Sequence, residues 1–270
     1  MTQRYTIAAS GGVEQELLLD ALWSAGALGV WERGQHIVAW FPEATRRAPP
    51  GGRWEPEPDR DWHAEWKAGL EPVRLGRLTI TPSWHPDAHS GPCTVVLDPG
   101  MAFGTGHHAT TRLCLSVLER ADLSARRVLD VGTGSGVLAI AAARLGAKEV
   151  VAIDVDPEAV SAAAMNAARN QVAVDVRVGS LEAAAEDEPF DIVVANLSTE
   201  LVLGSAAALL ALTVPDGLLV VSGFAAAQCG TVADALRRLG AKLLTPDMQD
   251  EWAALTVSPL ASREGEVGRE

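Results

Sequence analysis

Basic side chains are scarce in this 270-residue chain: 22 lysines and arginines stand against 35 aspartates and glutamates, a formal net charge of −13. That balance argues against a general nucleic-acid binder, because no cationic surplus exists to offset phosphates. It leaves room for a basic protein as substrate. Cysteine is also sparse. Cys93, Cys114 and Cys229 lie far apart and form no CxxC pair, so neither a disulfide framework nor a zinc site is expected, and the thiols read as buried and reduced. Long apolar runs are missing too. The start, Met1-Thr2-Gln3-Arg4-Tyr5, has no signal-type hydrophobic region, and charge or glycine interrupts every alanine-rich segment. The expectation is a cytoplasmic protein with no membrane contact.

What is present is a globular composition, 48% hydrophobic and 21% charged, at a length that suits one large domain and a smaller one. Residues 4–9 read as a strand and 13–25 as a helix with apolar spacing at Leu17, Leu18, Ala21 and Leu22. Residues 28–31 and 36–41 read as a hairpin around Glu32-Arg33-Gly34-Gln35. This β-α-β-β unit predicts a small α+β, ferredoxin-like sheet with one covering helix. Pro42, Pro49, Pro50, Pro56 and Pro58, with Gly51-Gly52, mark a linker. A short helix then follows over 61–70, with Trp62 and Trp66 one turn apart. The expected domains are a front domain over 1–57, a linker and helix over 58–70, and a main domain over 71–270. Seven of the eight tryptophans fall in the first 84 residues, either as staples of a small core or as exposed anchors for a protein partner.

Beyond residue 73 the pattern alternates. Strand-like segments at 73–80, 94–97, 128–131, 149–153, 175–178, 191–195 and 218–221 are interleaved with helical segments at 112–118, 137–145, 157–170, 200–212 and 225–239. A final strand pair lies near 242–244 and 252–257, and 259–270 reads as a frayed tail. Asp156 followed by Pro157 is a helix start with an acidic cap and a proline at the first helical position. Alternation of this kind predicts an open, mostly parallel, doubly wound α/β sheet.

In such a sheet ligands bind beyond the carboxyl ends of the strands, where the strand order reverses. Val128-Leu129-Asp130-Val131 runs straight into Gly132-Thr133-Gly134-Ser135-Gly136, a glycine turn that lets a ligand approach the main chain. Asp154, at the end of the next strand, comes 22 residues after Gly132, the separation at which a carboxylate accepts hydrogen bonds from ribose hydroxyls. Two cofactor classes use this geometry. A dinucleotide fingerprint wants a third glycine where Val137 stands. The acid at Asp130 and the missing third glycine resemble the first motif of class I S-adenosylmethionine-dependent methyltransferases. An NAD-dependent oxidoreductase, or a methyltransferase of another amine substrate, remains the alternative. Asn196 ends the strand Phe190-Asp191-Ile192-Val193-Val194-Ala195, where amine methyltransferases often carry Asn or Asp. An amine nucleophile needs acceptors for its N–H bonds that leave its lone pair aimed at the methyl group. Leu197-Ser198-Thr199 departs from the Pro-Pro-aromatic continuation of that motif, which argues against a nucleobase target.

The most specific stretch is Asp98-Pro99-Gly100-Met101-Ala102-Phe103-Gly104-Thr105-Gly106-His107-His108-Ala109-Thr110-Thr111. With the glycine motif, Val194-Ala195-Asn196-Leu197, the tryptophan-rich front and Asp250-Glu251-Trp252, the chain resembles the bacterial methyltransferases of ribosomal protein L-eleven (L11). The resemblance implies a Rossmann-like class I methyltransferase domain that trimethylates α-amino and lysine ε-amino groups of that protein, free of or before assembly into the ribosome. It also implies a front domain that recognises the substrate. By matching position, Phe103, Thr111, Gly132, Gly134, Asp154 and Asn196 contact S-adenosylmethionine, Ser180 and Leu181 lie near its adenine, and Asn196 is the catalytic residue. His107 and His108 are adjacent without companion ligands, so no metal is expected.

Overall fold

A computed structural model describes residues 2–8, 18–19, 21–33, 36–42, 47–56, 71–85, 91–97, 106, 108–244 and 246–260. The chain folds as two compact units, Met1–Leu70 and Glu71–Glu270.

The first unit is a four-stranded antiparallel sheet. Strands β1 (Thr2–Ala8), β2 (Gly29–Arg33), β3 (His36–Pro42) and β4 (Arg53–Pro56) lie in the order β2-β3-β1-β4, with helical residues at 18–19 and 21–24. Period-two alternation sends Tyr5 and Ile7 of β1 and Ile37, Ala39 and Phe41 of β3 into one core with Leu22 of the helix. The expected hairpin is there, and so is one feature the proline-marked stretch concealed. Part of that stretch is β4, an edge strand paired to β1, and its proline stands at the strand end, where no ladder donor is required. Trp54 of β4 packs 4.7 Å from the Tyr5 ring and 5.2 Å from Phe41. The Gly52 amide donates to the Tyr5 hydroxyl, which donates to the Pro49 carbonyl. The tryptophans therefore divide: Trp54 is partly buried against the core, whereas Trp23 and Trp31 are more than half exposed. Trp62, Trp66 and the expected helix over 61–70 lie outside the described residues.

The second unit opens with a three-stranded sheet of β5 (Val73–Leu75), β6 (Leu78–Thr81) and β7 (Thr94–Val96). Helix α1 (Ala109–Arg120) then leads into the main sheet. That sheet contains β8 (Arg127–Val131), β9 (Glu149–Asp154), β10 (Asp175–Val178), β11 (Phe190–Asn196), β12 (Thr213–Ala225), β13 (Ala241–Leu243), β14 (Asp247–Gln249) and β15 (Trp252–Pro259). The order is β10-β9-β8-β11-β12-β15-β13, parallel from β10 to β12 and antiparallel at β15, with β14 also paired to β15. Helices α2 (Val137–Arg144), α3 (Pro157–Arg169), α4 (Thr199–Ala211) and α5 (Cys229–Arg238) connect the strands.

The central parallel strands β8, β9 and β11 are buried on both sides, whereas the edge strand β10 is not. Val128 packs with α1 and α2 on one face, Leu129 and Val131 with α4 and α5 on the other, which explains the continuous apolar runs. The fold is the mostly parallel α/β architecture read from the sequence. The stretch expected as one strand-like segment over 73–80 is instead the hairpin of β5 and β6 in the separate three-stranded sheet, and the main sheet shows two further differences. The strand expected over 218–221 extends to Thr213–Ala225 through irregular pairing, and β14 joins the terminal pair as a third strand. The expected tail beyond 260 lies outside the described residues.

Candidate functional site

Strand order reverses between β8 and β11, because the chain steps outward to β9 and β10 and then returns to the other side of β8. The crevice beyond these strand ends is a cavity of about 700 Å³. Its floor is the glycine turn. Gly132 and Thr133 donate their amides to the Ile153 carbonyl, and Gly132, Gly134 and Gly136 all have positive φ, with Gly136 capping α2 in the left-handed region at φ +84°. A Cβ on Gly132 would stand 2.5 Å from Leu197 Cδ2, a methyl at the end of a side chain that can turn aside; the φ of +72° is what favours glycine there.

Asp130 sits beneath this turn, fully buried. Its Oδ2 accepts from Thr133 Oγ1 at 2.7 Å and from the Ala139 amide of α2 at 3.1 Å, so one carboxylate ties the turn to the helix that follows. Among the described residues Oδ1 has no partner. Burial pushes the carboxyl up to about 6, the two donors pull it down and the negative Asp154 adds to the rise. Asp154, at the end of β9, is fixed on both oxygens. Oδ2 accepts the Gly134 amide at 2.9 Å and Oδ1 the Asp156 amide at 3.0 Å. Each oxygen keeps acceptor capacity toward the cavity for a pair of hydroxyl donors.

Asn196 ends β11 on the opposite side of the cavity mouth. Its Nδ2 donates to Thr111 Oγ1 at 3.3 Å, and among the described residues its carbonyl oxygen is unshared. Thr111 is buried on α1, whose first turn His108 caps: Nδ1 accepts the Thr110 amide and meets Thr110 Oγ1 at 2.7 Å, while the imidazole packs edge-on with Trp252, ring centroids 4.7 Å apart. His108 thus acts as a helix cap.

Of the residues expected at the site, Thr111, Gly132, Gly134, Asp154, Ser180, Leu181 and Asn196 all line this one cavity. Phe103 and His107 lie outside the described residues. Sequence reasoning missed Val155, Leu197, Glu200 and Leu201. Val155 is 70% and Leu201 58% exposed, apolar side chains left open at the rim of a cavity with a polar floor. An apolar residue directly after the strand-end acid was a usable signal for Val155. Nothing in the sequence marked Leu201, whose helix reads as an ordinary covering element.

Two asparagines hold the periphery. Asn166 on α3 donates to the Ser135 carbonyl of the glycine turn at 2.8 Å. Asn170 accepts the Val96 amide and donates to the Val96 and Asn166 carbonyls, each at 2.8 Å. Both are buried, and together they tie β7 to α3 and α3 to the turn.

Comparison with known proteins agrees with this geometry. Residues 34–259 match the family model described as ribosomal protein L11 methyltransferase. A protein of that name from Deinococcus radiodurans is 42% identical over 259 residues, covering 90% of this chain and 94% of the relative. Its namesake from Thermus thermophilus is 40% identical over 238 residues, covering 88% and 92%. Among solved structures, a ribosomal protein L11 methylase from Lactobacillus delbrueckii subsp. bulgaricus aligns with a TM-score of 0.65 at 35% identity, over 71% of this chain and all of that one. A magnesium protoporphyrin IX methyltransferase from Synechocystis with bound SAM shares the fold, with a TM-score of 0.50 at 21% identity over 60% of this chain and 86% of that one. The glycine turn, left open by its spacing between a methyltransferase and a nicotinamide enzyme, is thereby assigned: the chain belongs to the ribosomal protein L11 methyltransferase family.

Proposed function

We propose that this protein transfers methyl groups from S-adenosylmethionine to the α-amino and lysine ε-amino groups of ribosomal protein L11, to the trimethyl stage, before that protein enters the ribosome. The observation that carries the reading is the pairing of Asn196 with Thr111, which leaves the asparagine carbonyl oxygen at the mouth of the cavity as a fixed acceptor. The residues present fit the cofactor. Asp154, held by two amides, suits ribose hydroxyls. Val155, Leu181 and Leu201 offer apolar surface to a purine, with Ser180 beside them. The bare backbone of Gly132 and Gly134 admits the amino-acid portion. When bound, S-adenosylmethionine supplies an electrophilic methyl group on a sulfonium, a good leaving group.

The protein then has mainly to align and desolvate the amine. In the first two transfers Asn196 Oδ1 accepts one amine N–H, which turns the lone pair toward the methyl carbon; the dimethylated amine, with no N–H left, is aligned by the shape of the site alone. Each transfer would form an N–C bond and leave the C–S electron pair on sulfur; after the first and second the ammonium would lose a proton to water, and after the third it would keep a fixed positive charge. Only the neutral amine reacts. An α-amino group, with pKa about 8, reaches that state readily, while a lysine at about 10.4 depends on desolvation.

Replacement of Asn196 by Ala tests the assignment. Turnover should fall about 100-fold or more, while affinity for S-adenosylhomocysteine stays within about threefold. Undiminished turnover would remove Asn196 from the mechanism.

A further inference from the structure

The Asn196–Leu197 turn is seated on an irregularity of the neighbouring strand. The β11–β12 ladder ends with Asn196 opposite Ser222, and the Ser222 carbonyl accepts the Leu197 amide at 2.9 Å. One residue later the pairing of β12 with β15 shifts register between Ser222 and Phe224, and the residue in the bulge is Gly223, at φ +97°. A Cβ there would meet the Leu197 peptide itself: 2.2 Å from its carbonyl oxygen, 2.7 Å from its carbonyl carbon and 2.9 Å from its nitrogen. Leu197 is thus keyed between two glycines, its side chain against Gly132 and its backbone against Gly223. The Ser222 hydroxyl donates to the Ala253 carbonyl at 2.8 Å and holds the bulge to β15.

We propose that Gly223 is a positioning residue for methyl transfer: the bare backbone of the β12 bulge is the seat of the Leu197 peptide, and through it sets where the Asn196 carbonyl oxygen points. This rests on Asn196 being the amine acceptor. Any side chain at 223 displaces the Leu197 peptide, because neither bonded atoms nor a strand held on both sides can yield by the ångström required. The Asp154 and Gly134 contacts do not involve this turn, so the hold on the cofactor at the β9 end of the cavity is left intact.

The test uses the full chain with Gly223→Ala and, as a control, Gly217→Ala. Gly217 lies nearer the start of the same strand, where a Cβ would stand 2.8 Å from the Asp191 carbonyl oxygen. Two ligands are measured beside turnover: S-adenosylhomocysteine, and sinefungin, which carries an amine where the transferring methyl would be and so reads the acceptor directly. In Gly223→Ala, turnover on L11 should fall about 100-fold, sinefungin should lose about tenfold relative to S-adenosylhomocysteine, and the latter should bind within about threefold of wild type. Gly217→Ala should lower stability and leave that affinity ratio unchanged. Should Gly223→Ala fail to fold, Gly223→Asn, more tolerant of the left-handed region, carries the same Cβ into the same clash. Equal weakening of both ligands in Gly223→Ala would overturn the proposal, as would an altered ratio in Gly217→Ala. Wild-type turnover in Gly223→Ala beside an inactive Asn196→Ala would overturn the seat alone, and wild-type turnover in Asn196→Ala would overturn both.

Discussion

At the scale of single residues, the site depends on two aspartates placed in opposite environments. Asp130 is sealed in apolar surroundings, and its carboxyl is pushed up to about 6, above the unfolded value of 3.8. A raised acid works against the folded state once it ionises, so its contribution to stability falls as pH rises from about 4 to about 6 and is constant above that. Asp130→Asn keeps an oxygen for Thr133 and Ala139 and removes the charge. The variant's melting temperature should gain on wild type across that window, by an amount corresponding to roughly 2–3 kcal/mol, and hold the gain at pH 7 and above. A difference that instead shrinks with rising pH would contradict the burial argument. Glu149 and Asp191, held below the usual carboxylate range by Arg127 and by Arg126 with the Arg127 amide, act in the other direction, which is why the difference between the two proteins is the quantity to follow. Asp154 is only partly exposed, and we assign it to cofactor binding. Asp154→Ala forfeits charge-assisted hydrogen bonds to the ribose, and the dissociation constant for S-adenosylhomocysteine measured by calorimetry should rise about 10- to 100-fold.

Among the elements, helices α1, α3 and α4 begin at side-chain caps, His108, Asp156 and Ser198, and of these Asp156 with Pro157 was plain in the sequence. Legibility followed the range of the interaction. Apolar runs flanked by glycine, and motif residues at strand ends, are local signals, and they located the main sheet and seven residues around one cavity. Strand β4 was hidden by the prolines in and around it, and β14, three residues long, carries no run to read. Asn170 and Val96, or Leu197 and Gly223, meet only after folding, and an asparagine at a helix end or a glycine inside a strand gives no sign of its distant partner. The Asn170 clamp has a measurable cost. Asn170→Ala leaves the buried amide and carbonyl of Val96 without these bonds, and the melting temperature should drop by roughly 5–10 °C. An unchanged melting temperature would show that the clamp contributes nothing.

For the molecule as a whole, we assign substrate recognition to the front domain over 1–57, joined through 58–70 to the methyltransferase domain over 71–270. The exposed Trp23 and Trp31 supply apolar anchors on the first unit, the residue type that dominates binding hot spots. The net charge of −13 favours a basic protein partner through long-range attraction. Rising ionic strength should therefore lower kcat/KM for the protein substrate by about tenfold between low and physiological salt, while affinity for the net-neutral S-adenosylhomocysteine changes little. The central claim, that this chain methylates amines of ribosomal protein L11, is tested most directly by incubating purified L11 with the protein and S-adenosylmethionine and mapping the products by peptide mass spectrometry. The account predicts methyl increments in threes on the α-amino group and on lysine side chains, absent when S-adenosylmethionine is withheld. L11 recovered without any methyl group on an amine would contradict it.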